Sequence, residues 1–140
     1  MEKVLIAYWS GTGNTEAMAQ AIANGIKNAG AECDVVNVSE NPDVTNYDKI
    51  AFGCPAMGAE NLEEGEFEPF FEDAESKISG KKVALFGSYG WGDGEWMQEW
   101  ATRTTNAGAN LFDNNLIINE TPDDEGISNC EAFGETFAKF

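Results

Sequence analysis

Ahead of a helical pattern and behind an apolar run, the chain reads Ser10-Gly11-Thr12-Gly13-Asn14-Thr15. Backbone N–H groups at the start of a helix have no intrahelical acceptors, and the helix dipole favours an anion there. Gly11 and Gly13 let the backbone curl close to a ligand. Ser10, Thr12, Asn14 and Thr15 add neutral donors, so the segment suits a compact phosphate held by hydrogen bonds rather than ion pairs. A nucleotide-triphosphate P-loop would need a lysine, which this loop lacks. A dinucleotide G-x-G-x-x-G pattern starting at Gly11 and Gly13 would need a third glycine where Glu16 stands. The plainer alternative is a tight strand-to-helix connection with no ligand.

Two further segments carry a different chemistry. Pro55 to Glu64 contains Met57, and Tyr89 to Glu95 places Tyr89 and Trp91 among Gly90, Gly92 and Gly94. Large apolar side chains bracketed by glycines suit a slot for a flat ring, because stacking needs a face on each side. The alternative for Trp91 is that it folds back as a lid on the core.

The elements needed to bring these segments together are readable from periodicity. Strands are expected at Lys3–Tyr8, Glu32–Ser39, Tyr47–Cys54, Lys81–Tyr89 and Ala109–Ile118, the last bent near Asp113–Asn115. The first helix shows Met18, Ile22, Gly25, Ile26 and Ala29 on one face and ends at Gly30. Further helices are expected at Glu66–Ile78 (Phe67, Phe70, Phe71, Ala74 and Ile78 inward), at Trp96–Ala107, and at about Glu125–Lys139 with Ile127, Cys130, Phe133, Phe137 and Phe140 inward. Glu40–Asn46 is too short and polar for a full helix. Strands alternating with helices predict an α/β fold: a five-stranded parallel sheet in the order 2-1-3-4-5, with helices on both faces and residues 1–140 forming a single domain. In such a sheet the ligand crevice lies beyond the carboxyl ends of the strands where strand order reverses. The loops after strands one, three and four, which carry the chemistry, would then share one rim.

Composition excludes whole classes of function. Asp and Glu number 25 against 8 Lys and Arg, a net charge of −17, so nucleic acid and anionic membranes are not expected partners. No histidine occurs, which removes Ser-His, Cys-His and His-metal chemistry. Cys33, Cys54 and Cys130 are far apart and form no C-x-x-C pair, so they are expected as free thiols of a reducing cytosol. The N-terminal apolar run is too short for a secretory signal, no later stretch could span a bilayer, and a cytoplasmic location is expected.

At this point a resemblance can be stated. Ser10–Thr15 followed by a helix resembles the phosphate-binding fingerprint of the flavodoxin family. Pro55-Ala56-Met57-Gly58, Phe67–Asp73, Gly80–Met97 and the length are similar to short-chain flavodoxins of the clostridial type. The resemblance implies FMN as cofactor, with Ser10, Thr12, Asn14 and Thr15 on its phosphate. It implies Trp91 on the outer face of the isoalloxazine and Met57 on the inner one. It implies that the Gly58 carbonyl turns toward the flavin N5 on one-electron reduction, favouring a neutral semiquinone, and that Glu60 bonds the N3 edge. The resemblance departs at Pro55, where relatives often carry a phosphate-binding serine, and at Ala59, where many carry Asp or Asn. The expected cofactor-binding set is therefore Ser10, Gly11, Thr12, Gly13, Asn14 and Thr15; Pro55, Ala56, Met57, Gly58, Ala59 and Glu60; and Ser88, Tyr89, Gly90, Trp91, Gly92 and Asp93.

Glu60 to Glu75 carries eight carboxylates and no basic residue. One reading is a solvated acidic face; the other is a negative rim that steers basic partners and disfavours an anionic, fully reduced flavin. One carboxylate about 10 Å away, at an effective dielectric of about 40, contributes roughly 0.8 kcal/mol, or about 35 mV. The expected function is thus a low-potential one-electron carrier with non-covalently bound FMN, shuttling between redox partner proteins; an NAD(P)H-dependent quinone or flavin reductase on the same fold is the alternative. Its nicotinamide would need room above Trp91 and positive groups, whereas Arg103 is the only arginine. A phosphorylated receiver would need an Asp where Gly53-Cys54-Pro55 stand. Expected partners are redox proteins with basic docking surfaces, of the ferredoxin type, meeting a monomer.

Overall fold

The computed structural model describes residues 3–58, 61–90, 92, 94–112 and 115–140. Of the expected site residues, Ala59, Glu60, Trp91 and Asp93 lie outside the described residues, as do Asp113 and Asn114 of the expected strand bend.

The strands are β1 (Val4–Tyr8), β2 (Cys33–Asn37), β3 (Lys49–Gly53), β4 (Lys82–Tyr89), β5 (Asn110–Leu111) and β6 (Leu116–Asn119). The helices are α1 (Asn14–Asn28), α2 (Phe67–Glu75), α3 (Glu95–Asn106) and α4 (Asp124–Ala138). All strand pairings are parallel, in the order β2-β1-β3-β4-β5, with β6 also paired to β4. The expected fifth strand is thus two segments laid along one neighbour: β5 meets the start of β4 and β6 its end, with Tyr89 opposite Asn119.

Side-chain alternation divides the core between the two faces of the sheet. Val4, Ile6, Ala51, Ala84 and Phe86 meet α1 and α4 through Met18, Ile22, Ile26, Phe133 and Phe137. Leu5, Ile50, Phe52, Val83 and Leu85 meet α2 and α3 through Phe67, Phe71, Trp96 and Trp100. On the first face the helices approach closely: a methyl at Gly134 would strike the Ile22 carbonyl oxygen, and one at Gly25 the Glu131 carbonyl oxygen.

Some boundaries differ from expectation. α2 ends at Glu75 rather than Ile78. The β2–β3 link holds two short 3-10 turns, Val38–Glu40 and Val44–Asn46, opened by Asn37 and Asp43 side chains that accept from Ser39 and Thr45 N–H. Phe140 does not face inward: it lies past the end of α4, is 38% exposed, and rests its ring 5.2 Å from that of Phe112.

Candidate cofactor site

At the carboxyl edge of the sheet a cavity of about 310 Å³ opens among the loops after β1, β3, β4 and β6. Gly11, Thr12, Asn14, Pro55, Ala56, Met57, Gly58, Ser88, Tyr89 and Gly90 line it, as expected, and Trp9 and Glu120 join them. Ser10, Gly13, Thr15 and Gly92 are not among its walls.

The first wall is built by the start of α1. The helix has no side-chain cap; Gly13 enters it at φ 94°, in the left-handed region that glycine tolerates. Ser10 Oγ, an expected phosphate ligand, accepts from the N–H groups of Gly13 at 3.1 Å and Glu16 at 3.2 Å. Its own O–H proton is still available to donate. Thr12 Oγ1 accepts weakly from Asn14 N–H at 3.5 Å. Among the described residues, the N–H groups of Thr12 and Thr15 form no hydrogen bond. These donors, at the positive end of a 15-residue helix, are what an anion needs. Thr15 itself is buried, its hydroxyl 3.1 Å from that of Ser88.

The second wall is the loop after β3. Met57 N–H donates to the Asn61 carbonyl at 2.9 Å and Ala56 N–H to the Ser88 carbonyl at 2.9 Å. Gly58 is exposed at the tip. Behind the loop, Cys54 Sγ accepts from Glu63 N–H at 3.4 Å, and the Cys54 carbonyl from Trp96 Nε1 at 3.3 Å. Burial pushes the Cys54 thiol far above its ordinary range. It is a structural thiol rather than a nucleophile.

The Trp9 indole forms a further apolar surface. A methyl at Gly11 would sit 2.9 Å from its ring, so a side chain there would require the indole to shift. Its Nε1 donates to Glu66 at 3.4 Å. The expected set includes neither Trp9 nor Glu120. Counting the loop after the last strand as a fourth member of the rim would have found the latter, since β6 runs beside the end of β4.

The acidic stretch is not the uniform rim its sequence suggests. Arg103 donates to both carboxylate oxygens of Glu68, at 2.8 and 2.6 Å, and to Glu75 at 2.6 Å. Asp73 pairs with Lys77 at 2.8 Å. Glu63 caps α2, its carboxylate accepting from Gly65, Glu66 and Phe67 N–H at 2.7–2.8 Å. Burial pushes Glu63 up, but those three donors outweigh it and hold the group below the ordinary carboxylate range. Glu64, Glu66 and Glu72 have no basic partner among the described residues.

A family model described as Flavodoxin matches residues 6–134. The chain belongs to the flavodoxin family. It is 51% identical over 138 residues to a flavodoxin of Megasphaera elsdenii, covering 97% of this chain and 98% of that one. It is 52% identical over 135 residues to a flavodoxin of Clostridium beijerinckii, covering 95% and 97%. Among solved structures, that of two-electron reduced Megasphaera elsdenii flavodoxin superposes with a TM-score of 0.90 at 50% identity, covering 98% of this chain and 99% of the other. Members of the flavodoxin family are FMN-binding electron carriers rather than enzymes. The lining suits that cofactor: the unpaired N–H groups of Thr12 and Thr15 could take a phosphate, and Trp9, Met57 and Tyr89 offer apolar surface that could face a flat ring.

Proposed function

We propose that this flavodoxin carries electrons singly, at low potential, between protein partners, with FMN held non-covalently in the cavity. One observation carries the reading: an uncharged donor cradle at the start of α1 adjoins a mostly apolar cavity open to the protein surface. When bound, FMN supplies a centre able to take up and release one electron at a time. The chain does the rest. The N–H groups of Thr12 and Thr15, with the Thr12 hydroxyl and the Asn14 amide, hold the phosphate. Met57, Tyr89 and Trp9 exclude water from the ring, and Gly58, exposed at the loop tip and without a side chain, leaves that peptide free to change orientation. Trp91 and Glu60 take the ring-stacking and N3-edge roles in this reading.

Low potential is supported by the net charge of −17 and by Glu120 in the cavity wall and Glu66 against Trp9, neither of which has a basic partner among the described residues. The same field favours partners with basic docking surfaces, whose encounter rate would fall as salt is added. The test is reconstitution of the full chain with FMN, followed by stepwise anaerobic reduction. Micromolar or tighter binding is expected, with two separated one-electron steps, the second below that of free FMN. NADH and NADPH should leave the flavin oxidised; prompt bleaching would favour the reductase reading instead.

A further inference from the structure

The segment at the end of β6, Asn119-Glu120-Thr121, touches both halves of the site. Asn119 lies opposite Tyr89 in the β4–β6 ladder. Its Nδ2 donates to the carbonyls of Tyr89 at 3.2 Å and Gly90 at 3.4 Å. Glu120 N–H donates to the same Tyr89 carbonyl at 2.7 Å. Thr121 Oγ1 donates to Asn14 Oδ1 at 3.0 Å, reaching the phosphate loop from the other end of the chain. Between them Glu120 sits at φ 57°, the left-handed region, where a non-glycine residue persists only if its surroundings hold it.

The chemistry of the Asn14 contact is specific. A primary amide offers an acceptor oxygen and a donor NH2 group, and its orientation is set by its partners. With Oδ1 engaged by Thr121, the polar capacity Asn14 has left for the cavity is its NH2 group, the end that suits an anion. An Asn14 free to flip could present its oxygen, which would repel one.

We propose that Asn119–Thr121 is a strap that positions the FMN site at both ends: Thr121 fixes the Asn14 amide as a donor to phosphate, and Asn119 holds the Tyr89–Gly90 turn beside the ring. Both are positioning residues. The proposal rests on the FMN reading above and adds residues that reading does not use.

The test compares the full-length wild type with Thr121→Val, Thr121→Ser and Asn119→Ala. Each is titrated with FMN and with riboflavin, which carries the ring without the phosphate. Thr121→Val should weaken FMN about tenfold, the equivalent of one lost hydrogen bond and a misaligned amide, and leave riboflavin unchanged. Thr121→Ser keeps the hydroxyl and should restore wild-type FMN affinity. Asn119→Ala should weaken both ligands and move the midpoint potentials, because the oxidised and reduced ring no longer meet the same loop. Thr121 is exposed, so its variants retain the fold and decide the matter even if Asn119→Ala does not fold. Wild-type FMN affinity in Thr121→Val, or an equal loss of FMN and riboflavin, would overturn the strap. Failure of the wild type to bind FMN would instead overturn the functional reading itself.

Discussion

The hydroxyls of Thr15 and Ser88 meet at 3.1 Å across 73 residues of sequence, sealed from solvent. One stands in the first turn of α1 and the other near the end of β4, so the pair joins the phosphate loop to the ring loop from behind. Ser88 N–H also donates to Thr15 Oγ1 at 3.4 Å. Thr15→Val keeps the shape but removes both interactions, leaving a buried N–H without its acceptor. An unpaired buried polar group costs about 1–3 kcal/mol. Urea unfolding of the variant should show that loss, and the Thr15→Val/Ser88→Ala double variant should lose less than the sum of its singles.

Glu63 predicts a pH dependence. Its folded-state pKa is depressed by the three N–H donors, so its stabilising effect is complete above the ordinary glutamate pKa of about 4.3 and disappears as pH falls through the lower, folded value. Glu63→Ala should cost about 1–2 kcal/mol at neutral pH, the usual worth of a helix N-terminal cap. Chemical denaturation from pH 7 to pH 2.5 should show the wild type and variant converging at the acid end. A gap that persists unchanged would mean that charge has no part in the cap.

Arg103 stands between α2 and α3 with its guanidinium 5.0 Å above the Phe71 ring and both Glu68 and Glu75 in its grip. All three side chains are about 30% exposed, so the pairs are worth more than surface ion pairs and less than buried ones. Arg103→Met should cost roughly 1–2 kcal/mol through the repulsion of the released carboxylates. It also adds one unit of negative charge to the molecule. The second reduction potential should therefore fall, by an amount on the order of 10–30 mV at low salt and less at high salt.

Much of this was legible in the residues. Alternation of β-branched strands with 3.6-period helices gave the layers, and the glycine-hydroxyl run marked the cradle. Three things were not legible, each for a physical reason. Which acids face the rim depends on where Arg103 reaches from α3, a contact 35 residues away from Glu68. That the Ser10 hydroxyl accepts from Gly13 and Glu16 N–H, and that the Thr15 hydroxyl meets Ser88, depends on which orphan groups at the helix start and on β4 need partners, which only tertiary packing decides. The strap was missed because the last strand is split, so Asn119 looked like a residue beyond a strand ending at Ile118, whereas it is the ladder partner of Tyr89.

The seating of α1 on α4 gives the last prediction. Gly134 lies against the Ile22 carbonyl and Gly25 against the Glu131 carbonyl, so neither position has room for a methyl group. Alanine in place of a helical glycine normally stabilises by about 1 kcal/mol. Here the clash with backbone should reverse the sign, and Gly134→Ala should lose about 1–3 kcal/mol as the helices are forced apart. Gln20→Ala, on the exposed side of α1, serves as control and should stay within about 0.5 kcal/mol of wild type. Because α1 carries Asn14 and Thr15 at its first turn, a shifted helix also misplaces the donors. FMN affinity should therefore fall in Gly134→Ala and stay unchanged in Gln20→Ala, a comparison that thermal melts and fluorescence titrations read directly.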